Sequence, residues 1–121
     1  MLPTVRKQLR SRSFDLAMRF VTRNYRGLLA PATRIDLVRA AGRPRNLLGQ
    51  FRWDRDRRVI EIINRRGDAP SMVNTIVHEL THALQEYEGC LATMPKREAE
   101  DEADAAGWEA GWDYIRVRGA H

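Results

Sequence analysis

Apolar residues recur along this chain at both helix and strand spacings, and the mixture predicts an α+β domain. The clearest helical stripe lies in residues 71–88, where Val73, Ile76, Val77, Leu80, Ala83 and Leu84 stand three and four apart. Ser71, directly after Pro70, is its expected N-cap, and Gly89 its expected stop. A second helix is expected from Pro95 or Lys96 to Trp112 or beyond, its acidic first turns matching the positive end of a helix dipole. Residues 4–26 read as a basic amphipathic helix ending at Gly27, with Val5, Leu9, Phe14, Leu16, Phe20 and Val21 partly buried. Residues 35–38 suggest a short strand. Residues 47–53, a polar turn at 54–57 and the β-branched run 58–63 predict a hairpin. The expected architecture is an N-terminal helix, a small antiparallel three-stranded sheet and two further helices in one domain spanning 1–121. Residues 113–121 would add a short strand or lie loose. Trp108 and Trp112, four apart, are expected to pack in the core.

Composition narrows the setting. The chain has 121 residues, 43% hydrophobic and 31% charged, enough to bury one core. It lacks the run of about 20 apolar residues that a membrane span needs. The single cysteine, Cys90, cannot form an internal disulfide, which suits a cytoplasmic protein; the thiol reads as a small buried residue. Residues 1–26 are rich in Arg and poor in acid, as transit peptides are. Removing them would cost much of the core, so a structural helix is the preferred reading. No apolar segment with a small-residue cleavage site points to export.

The net charge of +5 hides an asymmetry. Residues 1–66 hold 17 Arg and Lys against 5 Asp and Glu, giving +12; residues 67–121 hold 4 against 11, giving −7. The halves are expected to attract one another. The basic half could also face nucleic acid, although a solvated face is the plainer reading.

The chemistry concentrates in His78-Glu79-Leu80-Thr81-His82, which contains two of the three histidines. Four apart on a helix, His78 and His82 lie one above the other and can offer two imidazole nitrogens to one Zn²⁺. Glu79 falls beside the open coordination position, where a general base for a water nucleophile belongs. Two histidines leave the site incomplete, and no further His occurs before His121. Glu98, Glu100 and Glu102 are therefore the candidates for a third ligand. Glu100 and Asp104 share a helix face, as do Glu98 and Glu102. In the first register Glu100 binds zinc and Asp104 orients a ligand histidine through its other ring nitrogen.

These two motifs resemble the gluzincin class of metallopeptidases, in which an HExxH helix is paired with a later helix carrying a Glu ligand. Glu100-Asp101-Glu102-Ala103-Asp104 looks like the Glu-x-x-Ala-Asp form of that second motif. In size the chain is similar to minimal gluzincins or a pared-down SprT-like domain, without the third His usual in the latter. The resemblance implies a zincin-like fold and zinc-dependent hydrolysis of a peptide or protein substrate. Zinc would be held by His78, His82 and Glu100, Glu79 would be catalytic, and Asp104 would support a ligand. It also implies a strand before the HExxH helix, residues 58–63, whose free edge lines the cleft. Tyr87, Tyr114, Arg116 and His121 are each able to stabilise an oxyanion. Two alternatives are a basic nucleic-acid-binding module with a structural zinc, and a silent zincin domain with residues 113–121 lying in its cleft.

Overall fold

A computed structural model describes residues 4–31, 33–65, 67–89 and 93–119. Cys90 and His121 lie outside the described residues.

Strand β1 (Thr4–Lys7) is followed by helix α1 (Arg12–Asn24), a 3₁₀ turn at Arg26–Leu28 and strand β2 (Thr33–Arg39). The hairpin strands are β3 (Gly49–Asp54) and β4 (Arg57–Asn64), and two helices follow, α2 (Ala69–Tyr87) and α3 (Lys96–Gly119). The sheet has the order β1-β2-β4-β3. Strands β1 and β2 run parallel, as do β2 and β4, while β3 pairs antiparallel with β4.

The expected antiparallel three-stranded sheet is thus corrected to a mixed sheet of four strands. The extra strand comes from the start of the segment read as helix. All four residues of β1 are exposed, so this edge strand shows no in–out alternation for a sequence reading to catch. Val5 is accordingly exposed rather than partly buried. Helix α1 begins only after Ser11, whose hydroxyl accepts from Phe14 N–H at 3.2 Å.

A second correction concerns the strand before α2. Both edges of β4 are paired, one with β2 and one with β3. The free edge on that side of the sheet belongs to β3. The N-cap also moves: Asp68, not Ser71, caps α2, its carboxylate accepting from Ser71 N–H at 2.9 Å. Hydrogen bonds from the Ser71 side chain and from its backbone N–H hold the Asp68 carboxyl below its usual range. Gly89 does follow the helix end, at φ +76°.

One face of the sheet carries the core. Ile35, Leu37, Ile60 and Ile62 meet Phe14, Ala17 and Val21 of α1 and Val73, Ile76, Val77 and Leu80 of α2. The opposite face is laced with charge. Arg34 pairs with Asp36 and Asp54, and Arg43 and Arg52 with Glu61. These pairs engage most of the few acids of the basic half, whose excess of positive charge remains. Among the described residues one ion pair, Arg58–Glu86 at 2.6 Å, joins it to the acidic half.

Helix α3 lies along α2 through small residues, Ala99, Ala103, Gly107 and Ala110, all buried. At Gly107 the approach is so close that a Cβ would stand 2.3 Å from Asn74 Oδ1 and 2.7 Å from Asn74 O. Trp108 and Trp112 face away and are exposed, which corrects their expected place in the core. Residues 113–119 continue α3, so they neither form a strand nor lie in a cleft. No helix among the described residues is long and apolar enough to cross a membrane.

Candidate metal centre

The long contact between α2 and α3 sets the two motifs side by side. His78, Glu79 and His82 project from α2, and Glu100 and Asp104 from α3. One ligand atom each from His78, His82 and Glu100 lie within 4.8 Å of one another, so the three can hold a metal ion. His82 Nε2 stands 2.9 Å from Glu100 Oε1, and His78 Nε2 stands 3.7 Å from Glu100 Oε2. Ligand atoms at corners of a tetrahedron about 2.0–2.1 Å from a zinc ion lie about 3.3 Å apart, between these two distances.

The outer partners of the histidines decide which nitrogens are free. His78 Nδ1 lies 3.0 Å from Asp104 Oδ1, a charge contact on the side of the ring away from Glu100. His82 Nδ1 lies 2.9 Å from Gln85 Oε1. The Gln85 amide is fixed in that orientation because its Nε2 donates to Ala99 O at 3.1 Å and Glu102 Oε1 at 3.0 Å. Its oxygen therefore accepts from His82 Nδ1, which leaves His82 Nε2 facing Glu100. That nitrogen is buried and makes no hydrogen bond, its neighbour Glu100 Oε1 being close but out of line. A cation between this nitrogen and the Glu100 carboxylate would satisfy both. The donor set, two imidazole nitrogens and one carboxylate oxygen, could hold a divalent cation.

Glu79 points into the same cleft, with its Oε2 3.9 Å from His78 Nε2. Burial pushes its carboxyl up to about 7; the Glu100 charge adds to the rise and His82 opposes it. Burial and the neighbouring His82 hold His78 below its usual range, against the pull of Asp104 and Glu100. A cavity of about 670 Å³ opens here, lined by Gly49 and Phe51 of β3, by His78, Glu79 and His82, and by Met94, Lys96, Ala99 and Glu100. Gly49 is the reason β3 can come so near, since a Cβ there would stand 3.1 Å from Glu79 Cγ and from Thr75 Cγ2.

Of the three candidate third ligands, Glu100 reaches the histidines, Glu102 is taken up by Gln85, and Glu98 is exposed. Sequence reasoning missed Gln85, although a glutamine one turn after a ligand histidine on the buried face of a helix was a usable signal. It also missed Lys96, a cation in the cavity lining. Of the four suggested oxyanion stabilisers, Tyr87, Tyr114 and Arg116 do not line this cavity, and His121 lies outside the described residues. Tyr114 packs edge-on against Phe20, Tyr87 lies under Arg58, and Arg116 pairs with Asp113.

Comparison with known proteins finds no matching family model, curated protein or solved structure.

Proposed function

We propose that the chain is a small zinc-dependent peptidase of gluzincin type. The observation that carries this reading is the convergence of His78, His82 and Glu100, with the buried carboxyl of Glu79 beside them, in an open cavity. Among the described residues the cluster offers three ligand atoms, which leaves a tetrahedral ion one open position; structural zinc sites have four protein ligands.

A bound zinc ion would polarise the scissile carbonyl and make water nucleophilic at neutral pH. Glu79 accepts the proton of the attacking water and returns it to the leaving amine. Its high proton affinity, a consequence of burial, suits it to hold that proton between the two steps. Asp104 and Gln85 keep the ligand nitrogens aimed at one point. The substrate chain pairs with the free edge of β3, whose Gly49 and Phe51 border the cavity.

Zinc content and peptide hydrolysis of the wild type, Glu79→Gln and Glu100→Gln test the proposal. Glu79→Gln should retain zinc and lose about 100- to 10,000-fold in kcat. Glu100→Gln should lose zinc. Wild-type activity in Glu79→Gln, or full zinc occupancy in Glu100→Gln, overturns the assignment.

A second reading, polyanion binding, is favoured by a groove of about 660 Å³ between β1 and α1, lined in part by Lys7, Arg19, Arg23 and Arg26. A salt-dependent shift on nucleic acid, lost in Arg19→Glu/Arg23→Glu, would support it.

A further inference from the structure

Helix α3 has a second apolar face that nothing in the fold covers. Its small residues turn towards α2, while Trp108, Trp112 and Ile115 turn outwards and are 62%, 55% and 44% exposed. With the exposed Ala105 they are spaced three, four and three apart, the a/d spacing of a coiled-coil seam. Side chains of this size present roughly 300–400 Å² of contiguous apolar surface, enough to mark an interaction site.

We propose that this face forms a homodimer in which α3 packs antiparallel against α3 of a second copy. Charge chooses the occupant and the direction. After Lys96 and Arg97 the helix carries Glu98, Glu100, Asp101, Glu102 and Asp104, and it closes with Arg116 and Arg118. Reversed upon itself, with a positions meeting d positions, it sets Trp108 against Trp112 and Ile115 against Ala105. Arg116 and Arg118 then lie alongside Glu102 and Asp104 of the second copy, twice over because the interface is isologous. A parallel arrangement would place acid beside acid and arginine beside arginine. Glu109 meets its own copy near the two-fold axis and is the one adverse pair. With their polar rims, two such stripes bury on the order of 1,200 Å², the lower edge of a specific interface. The inference is independent of the metal reading.

Sedimentation equilibrium of the full chain across the micromolar range tests it, with far-UV circular dichroism as a check on folding. The wild type should show a monomer–dimer equilibrium that weakens with salt. Trp112→Glu should weaken it about 30-fold or more, and Glu109→Gln should tighten it a few-fold. Should Trp112→Glu misfold, Ile115→Glu takes its place. A monomeric wild type overturns the proposal, as does a dimer indifferent to these changes. Tryptophan fluorescence shifting to the blue with phosphatidylcholine vesicles, in a chain that stays monomeric, would assign the face to a membrane surface instead.

Discussion

Gln85 turns its amide oxygen to His82 Nδ1 at 2.9 Å while its amide nitrogen grips Ala99 O and Glu102 Oε1 on the next helix. One buried side chain thus sets the tautomer of a candidate ligand and ties α2 to the start of α3. Gln85→Leu is expected to lower zinc affinity roughly 10- to 100-fold, read by competition with a chromophoric chelator. Unchanged affinity in a folded variant would show that His82 is oriented without it.

The close helix contact predicts a mutational cost away from the site. Gly107→Ala forces a methyl group to within 2.7 Å of Asn74 O, which is backbone and gives way only if α3 moves. About 1–3 kcal/mol of stability should be lost, measured by urea denaturation. Zinc binding should weaken with it, because Glu100 and Asp104 move with α3.

Acid and base act on a different link between helices. Tyr25 Oη donates to Asp113 Oδ2 at 2.5 Å, joining the end of α1 to α3. This bond, with Arg116 in support, holds the Asp113 carboxyl below its ordinary range, while burial and Asp113 raise the Tyr25 hydroxyl. The depressed carboxyl contributes stability that is full above the ordinary Asp pKa near ~3.9 and is lost as pH falls through the folded value. The raised phenol contributes stability that is full below pH ~10 and is lost as pH rises beyond it. Tyr25→Phe should therefore cost about 1 kcal/mol at neutral pH, limited by the partial exposure of Asp113. That deficit should shrink when thermal unfolding is repeated near pH ~3.

Lys96 gives the cavity a positive charge beside the apolar walls of Phe51 and Met94. If the chain is a peptidase, peptides pairing an apolar residue with a nearby carboxylate should be preferred. Lys96→Gln should raise KM for them several-fold, corresponding to about 1 kcal/mol, and leave uncharged peptides unaffected. Equal effects on both peptide classes would remove Lys96 from substrate selection.

What the sequence determined by itself was local. The spacing His78–His82 placed two imidazoles on one helix face, and the β-branched run before it made a hairpin strand; both depend on a few neighbouring residues. Periodicity also found α2 to within a few residues, because it carries a sustained stripe, and the start of α3, whose last turns beyond Trp112 it did not find. Tertiary structure decided everything that depended on partners distant in the chain. The exposed edge strand β1 had no alternation to betray it. The parallel alignment of β2 with β4 leaves no local trace and moved the free edge to β3. The outward turn of Trp108 and Trp112 follows from α2 demanding small residues on the opposite face of α3. The choice of Glu100 over Glu98 and Glu102 likewise rests on how α3 lies against α2, whose close approach at Gly107 and Asn74 depends on residues far apart in the chain.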